Sequence, residues 1–481
     1  MKLSFLLREI SYERRTAGDC EITGLCTDSR SACDGDLFFC YAGTRVDSHR
    51  FAKDAESRGA AAVVCERECG VSCPQIIVKN GREAMAHISA AFYNHPERDL
   101  KIVGVTGTNG KTTVSHMLRS ILEEGGIKSG LIGTLGAKYG NKFVAPALTT
   151  PDPVFLFSLL ADMKKEGVTT VVTEVSAHAL ALGKVSPIAF EIAVFTNLTQ
   201  DHLDFFGDMK RYGNAKKLLF QREKCRFAVL NADDPFSREL YDKNVPSVSY
   251  GLENPAEVFA VIESETARGS RVVLNLSDEL CETAIGMTGR HNVYNAMAAA
   301  ACAKRLGLGV EEIARGLARC KGVDGRLEWV ASFRGADIFV DFAHTPDGLE
   351  KSLSALREHC TGKLVCLFGC GGNRDAGKRP LMGETAAKYC DFAVITSDNP
   401  RYEDPCDILA QIEAGYKRYS KRYVSVEERE KGTEYALNLL TVGDILLIAG
   451  KGGETYQEIM GIKYSYNDKA VINSILGKLK Q

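Results

Sequence analysis

No apolar run in the chain reaches the roughly 18 residues that a bilayer-spanning helix needs, so the sequence offers no membrane insertion. An excess of charge of one sign is also missing. Sixty Lys and Arg stand against 62 Asp and Glu, a formal net charge of −2, which leaves no basic footprint for nucleic acid or an anionic membrane surface. There is no CxxC pair among the 16 cysteines. Cys65, Cys69 and Cys73 recur every four residues, as do Cys366 and Cys370. Zinc sites use tighter pairs with histidines, so buried, reduced thiols are the expectation. Low-complexity tracts and internal repeats are absent as well. The short apolar run of MKLSFLLREI is broken by Arg8 and Glu9 and has no small-residue cleavage pattern after it. It reads as a first helix rather than a signal peptide, and the cytoplasm is the expected location.

What is present is a soluble globular composition, 45% hydrophobic and 25% charged, over 481 residues, too many for one ordinary core. Three segments differ in character. Residues 1–97 hold short strands and turns, such as the acidic glycine turn Asp34–Gly35–Asp36 before an apolar run, and read as a small N-terminal α/β module. Residues 98–326 alternate apolar runs with helical periodicity, which predicts a mainly parallel sheet covered on both faces. Residues 327–481 repeat this grammar on a smaller scale. Their strand candidates, 363–368, 392–396 and 444–450, lead directly into GCGGNRD, SDNPR and GKGGE, and ligands of open α/β sheets gather at the carboxyl ends of strands.

GTNGKTT (107–113) lies between a strand pattern, 101–105, and a helical pattern ended by Gly125–Gly126. That context makes the loop a nucleotide-triphosphate cradle, although Val105 stands where the strict motif has glycine. Gly107 and Gly110 let backbone N–H groups approach phosphate, Lys111 neutralises it, and Thr112 is placed for Mg²⁺. Glu174 ends a run of valines, where a carboxylate is costly unless paired, metal-bound or solvated. His202, beside Asp201 and Asp204, suits either a metal or a turn cap. Lys216, read alone, is a surface helix residue.

The motifs TDSR (27–30), GTNGKTT (107–113), TTPDP (149–153), EVSAHAL (174–180), TNLTQDHLD (196–204), YGNAKKLLF (212–220), GRHNVYNAMAA (289–299), DGRLE (324–328), DFAHTPD (341–347), GCGGNRD (369–375), DNPR (398–401) and GKGGE (450–454) resemble, in order and from end to end, those of the Mur ligase family. The resemblance implies three domains: a uridine-diphosphate module, a central P-loop ATPase and a closing Rossmann-like domain. It also implies ATP-driven amide-bond formation through an acyl phosphate. Within the family the pattern is closest to the branch that adds the third residue of the peptidoglycan peptide to a UDP-N-acetylmuramoyl dipeptide. The chain is expected to be a monomer.

Residue roles follow from the same resemblance. ATP is met by Gly107, Thr108, Asn109, Gly110, Lys111, Thr112, Thr113, Asn292, Arg326 and Asp341. Mg²⁺ is met by Thr112, Glu174, His202 and Lys216, the last as a carbamate, and Lys111, Glu174, His202, Lys216 and Arg326 form the catalytic set. The nucleotide-sugar peptide is met by Thr27, Ser29, Thr44, Arg45, Val46, Thr149, Thr150, Ser176 and Lys184. The family pattern is departed from at Leu182, Lys184 and Gly453, where relatives carry Gln, Arg and His. For the incoming amino acid the resemblance points to Arg374, Asp398, Asn399, Pro400, Arg401, Gly450 and Glu454. Two guanidiniums suit a ligand rich in carboxylate, and Glu454 suits an ammonium group. Meso-diaminopimelate has both, whereas L-lysine would set an ammonium against Arg401. The alternatives are an L-lysine-adding ligase of the family and a folylpolyglutamate synthetase. A nicotinamide dehydrogenase is disfavoured because Arg374 occupies the third glycine position of its fingerprint.

Overall fold

The computed structural model describes residues 1–16, 18–43, 46–145 and 148–479. Three separate α/β sheets follow one another along the chain. The first has five strands in the order Arg14–Arg15, Gln75–Ile77, Ala62–Cys65, Asp36–Phe39 and Gly24–Cys26, parallel except for the first. The strands are short because turns interrupt them: Gly35 and Gly59 hold φ of 83° and 105°, values that glycine adopts without steric cost.

The central sheet has eleven strands. Its parallel core runs in the order Val258–Thr266, Ser247–Tyr250, Ala228–Asn231, Ile192–Phe195, Lys101–Thr106, Thr170–Glu174 and Ser129–Gly133. Antiparallel strands extend both edges, Gly269–Leu276 and Glu279–Ile285 on one side, Gly136–Tyr139 and Lys142–Val144 on the other. Lys101–Thr106 therefore sits where the strand order reverses, so that a crevice opens at its carboxyl end. Helices Lys111–Glu124, Arg290–Arg305 and Val310–Arg319 pack together beside this sheet. Close approach is possible because a Cβ on Gly316 would lie 2.4 Å from Ile121 Cα, and because an alanine-rich stretch, Ala296 to Ala303, is buried.

The last sheet has six strands in the order Glu328–Phe333, Ala336–Asp341, Ile445–Ala449, Leu364–Phe368, Phe392–Thr396 and Tyr423–Val426. Only the opening hairpin is antiparallel. Its inner parallel strands are buried apolar runs, as strands covered on both faces must be, whereas the edge strand Tyr423–Val426 is only partly buried. A hairpin, Tyr456–Ile459 with Ile462–Ser465, and a helix, Asp468–Leu479, complete the chain. All 16 cysteines are free, most of them buried. No helix among the described residues is long and apolar enough to cross a membrane.

A buried ion pair ties this last helix to helix Arg429–Asn438. Arg429 and Asp468 are both fully buried and meet through two N–H···O bonds of 2.8 Å, while a further Arg429 N–H donates to Ala449 O at 2.9 Å. Removing one partner of such a pair strands a buried charge. Asp468→Ala is expected to destabilise the C-terminal domain by about 3–5 kcal/mol, read as a shift of the urea transition; a loss below about 1 kcal/mol would show that the pair is solvated.

Candidate active site

The phosphate loop leaves strand Lys101–Thr106 and enters helix Lys111–Glu124 through Gly110, at φ 88°. Gly107 is required by contact as well as by conformation, since a Cβ there would fall 1.8 Å from Thr196 Oγ1. Thr108 Oγ1 donates to Thr199 O at 3.1 Å and Thr196 Oγ1 to Asn109 O at 2.6 Å, so the neighbouring strand's carboxyl end braces the loop. Lys111 Nζ folds back onto Gly107 O and Thr108 O, both at 2.9 Å. Thr113 is buried at the first turn of the helix.

Glu174, at the end of the adjacent strand, is 1% exposed. Its carboxylate accepts from Thr112 Oγ1 at 3.0 Å, Thr134 N at 2.9 Å and Thr134 Oγ1 at 3.0 Å. Space for it exists only because residue 133 is glycine: a Cβ there would lie 2.1 Å from Glu174 Oε1. Arg326 donates to the other side of Thr112 Oγ1 at 2.9 Å and stacks 4.4 Å from the Phe342 ring. Sequence reasoning missed Gly133 and Thr134, whose role depends on a packing distance and leaves no local signal.

Two cations, Lys111 and Arg326, act on this carboxylate, and a third, Lys216, lies near Lys111 and Asp201. Burial lowers the pKa of Lys111, of Arg326 and, farthest, of Lys216, to which Lys111 adds repulsion. Lys216 is 1% exposed, forms no ion pair among the described residues, and holds its amine 4.3 Å from the Tyr212 ring centre. His202 packs edge-on against the same ring at 6.0 Å and against His178 at 4.8 Å. Burial lowers the His202 pKa to about 3, so its imidazole is neutral and available to a metal. A neutral imidazole, a buried carboxylate, a threonine hydroxyl and a lysine amine whose charge burial disfavours make a set that Mg²⁺ fits once the amine carries a carboxylate. Beside them, burial would raise Asp201, but His344, Lys378 and His202 hold it below the usual range. His344 and Lys378 reach Asp201 from the C-terminal domain, at 3.6 and 3.7 Å.

Between the central and C-terminal domains lies a cavity of about 680 Å³, lined by Gly110, Asn292, Arg326, Asp341, Asp347 and Lys351 among others. Asn109 Nδ2 spans it to Asp347 Oδ2 at 2.7 Å. Asn292 donates to Thr288 O at 2.8 Å, and burial raises the pKa of Asp341. Asp347 and Lys351 were not among the residues singled out from sequence.

At the other side of Glu174, Thr150 Oγ1 donates to Glu174 O at 2.8 Å and accepts from Ser176 N at 3.0 Å, and Thr149 Oγ1 lies 3.1 Å from Thr134 Oγ1. Lys184 pairs with Asp152 at 2.7 Å. Farther away, in the N-terminal module, Ser29 is buried, Thr27 is exposed and Val46 is 48% exposed. Thr44 and Arg45 lie outside the described residues.

In the C-terminal domain, Arg401 (φ 53°) donates through Nε to Glu458 at 3.1 Å and through Nη1 to Gly372 O at 2.8 Å. Arg374 is exposed, and it and Arg401 flank Gly371, whose Cβ would meet Arg401 Nη1 at 2.9 Å and Arg374 Cγ at 3.7 Å. Pro400 packs by its carbonyl on Gly372. Gly450 admits Asp398, whose Oδ2 would stand 2.7 Å from a Cβ there. Lys451 is the centre of this cluster. It is wholly buried, donates to Asn399 Oδ1 at 3.0 Å and Glu454 Oε2 at 2.9 Å, and lies 3.7 Å from Asp398. Burial alone would raise Asp398, but Lys451, Arg429, His344 and Arg401 together lower it. Lys451 and Glu458 were missed from sequence: the lysine stood between glycines like any loop cation.

A glycine loop at a strand-order reversal, a buried carboxylate on the neighbouring strand and a second α/β domain closing over both define a multidomain P-loop nucleotide enzyme. The chain belongs to the Mur ligase family. The family's catalytic domain matches residues 21–93, its middle domain residues 105–303 and its glutamate ligase domain residues 325–452. A relative from Halalkalibacterium halodurans, UDP-N-acetylmuramoyl-L-alanyl-D-glutamate–2,6-diaminopimelate ligase, is 42% identical over 477 residues, covering 98% of both chains. A solved structure of a ligase with the same name is 30% identical, covers 96% of each chain and superposes with a TM-score of 0.67. The Mycobacterium tuberculosis folylpolyglutamate synthase with bound ADP shares the fold, at 18% identity and a TM-score of 0.65 over 77% of this chain.

Gly133→Ala tests the carboxylate's placement. The methyl group displaces Glu174, and the expected result is a 10–100-fold weaker apparent affinity for Mg²⁺ in ATP turnover, in a variant that melts lower but still cooperatively because buried hydrogen bonds are lost. An unaltered Mg²⁺ dependence would remove Glu174 from the metal set.

Proposed function

We propose that the chain is an ATP-dependent ligase that joins meso-diaminopimelate to UDP-N-acetylmuramoyl-L-alanyl-D-glutamate in the cytoplasm, with domain divisions after residues 97 and 326. The reading draws on the full-length relatives that bear this activity in their names and on the buried chain Arg326–Thr112–Glu174 at the mouth of the phosphate loop. ATP occupies the interdomain cavity with its phosphates at Gly107–Thr113. Lys111 and Arg326, now without enough anionic neighbours, take up the charge of the phosphate being transferred. Thr112, Glu174, His202 and carbamylated Lys216 would hold Mg²⁺, which supplies neutralisation of phosphate charge.

The substrate's carboxylate attacks the γ-phosphorus and becomes an acyl phosphate; ADP leaves. The amine of diaminopimelate attacks the acyl carbon, an amide forms and inorganic phosphate departs. Thr149, Thr150 and Ser176 border Glu174 and hold the peptide end. Thr27, Ser29, Thr44, Arg45, Val46 and Lys184 serve the nucleotide-sugar. Arg374 and Arg401 take the distal carboxylate of the amino acid, while Asp398, Asn399 and Glu454 face its ammonium group. Closure about residues 327–330, where Leu327 has φ 45°, keeps water from the acyl phosphate.

Phosphate release should require ATP, the UDP-linked dipeptide and diaminopimelate together. Arg401→Ala should raise KM for diaminopimelate by roughly 30-fold or more, the loss of about 2 kcal/mol or more expected for a charged partner, and leave KM for ATP within about twofold. If L-lysine is used with equal or higher kcat/KM, the assignment of the pocket fails.

A further inference from the structure

The strand pair Val258–Thr266 and Gly269–Leu276 belongs to the central sheet, but its tip rests on the C-terminal domain. Arg268 donates to Asp337 Oδ1 at 3.0 Å and lies 4.3 Å from the ring of Trp329, the chain's one tryptophan. Ala267 packs against the C-terminal apolar cluster. Three residues before Arg268, Glu265 turns toward the domain boundary. Its Oε1 accepts from Thr288 Oγ1 at 2.9 Å and from Gly289 N, at the start of the helix that carries Asn292. Facing it are Glu358 and His359, at the end of helix Pro346–Arg357, with backbone N–H groups bonded to Ser354 O and Leu356 O. One ligand atom from each of Glu265, Glu358 and His359 lies within 4.8 Å of the others.

This cluster is short of positive charge. Among the described residues, His359 Nε2 is buried without a hydrogen-bond partner, and no ion pair joins the imidazole to either carboxylate. Two carboxylates converging without a cation repel, and an unpaired buried ring nitrogen forfeits its hydrogen bond to water. One dication answers both deficits. Ligand atoms at 2.0–2.2 Å from an ion stand about 3–3.5 Å apart, so closing this set takes a side-chain adjustment of about 1 Å. One imidazole with two carboxylates and no further oxygen ligand suits zinc, cobalt or manganese better than calcium or magnesium, which favour six or more mostly oxygen ligands. The cluster is distinct from the Mg²⁺ set at Glu174, because none of its residues touches the phosphate loop.

We propose that Glu265, Glu358 and His359 form a binding site for one transition-metal dication that fastens the central sheet's hairpin to the C-terminal domain. Glu265 also supports Gly289 N, and Glu358 lines the nucleotide cavity, so occupancy stiffens the boundary beside the adenine end rather than the reacting phosphates.

The test is a Co²⁺ titration of the chelator-treated full chain in excess Mg²⁺, followed by visible absorption, with Zn²⁺ and Trp329 fluorescence as a second readout. The expected spectrum shows oxygen- and nitrogen-ligated cobalt without a sulfur charge-transfer band. His359→Gln and Glu265→Gln each lower the stoichiometry by one ion per chain or weaken that ion at least ~10-fold, and both abolish the Zn²⁺-induced change at Trp329. Glu265→Gln keeps the acceptor for Thr288 and Gly289, and melting curves without metal show whether each variant is folded. Equal Co²⁺ binding by wild type and both folded variants, binding through thiolates alone, or no binding in wild type overturns the proposal.

Discussion

Positive charge buried without enough negative charge governs this molecule. Lys111, Lys216 and Arg326 are all pushed toward their neutral forms by burial, which the acids among them, Glu174, Asp201 and Asp341, do not offset. Desolvating a cation costs several kcal/mol even after relaxation. A fold keeps such a cluster only if something else holds it in place, and here the central sheet does so. The phosphate loop, Glu174 and the Thr196–Thr199 segment sit at the carboxyl ends of three adjacent parallel strands, whose ladders fix their spacing. A polyanion entering this crevice meets donors already oriented and already stripped of water, which is the electrostatic condition for phosphoryl transfer.

The same shortage of anions links the domains. Asp201 adjoins His202 in the central domain, yet it is approached by His344 and Lys378 of the C-terminal domain. Asn109, in the loop itself, donates to Asp347. His344 also acts on Asp398, which neighbours Lys451 and thus the pocket of Asn399, Glu454 and Arg401. A continuous polar path therefore runs from the phosphate loop to the Lys451 cluster. The Lys451 cluster belongs to the third sheet and the phosphate loop to the second, and the bonds of Asp201 and Asn109 to His344, Lys378 and Asp347 join the two.

The sequence made legible whatever is local or periodic. The loop between strand and helix, the apolar runs that became parallel strands, and the Gly125–Gly126 helix stop all follow from spacing within a few residues. The antiparallel edge strands between residues 269 and 285 escaped because half-exposed alternation is weak next to the buried valine runs. Gly133 looked like any strand-end glycine. Lys451 looked like a solvated loop cation until the fold surrounded it with Asp398, Asn399 and Glu454, partners as many as 53 positions away. Glu458 against Arg401 and Asp347 against Asn109 are cases of the same kind, and no periodicity records them.

At the join between the second and third sheets, Gly325 meets Gly452 and Gly453 so closely that a Cβ on Gly325 would lie 2.0 Å from Gly453 N. The contact is peptide plane on peptide plane. A side chain at 325 or 452 would wedge the two backbones apart. Without one, the third sheet's loop is seated directly on the segment that carries Arg326, and Phe342 N donates to Gly325 O at 2.8 Å.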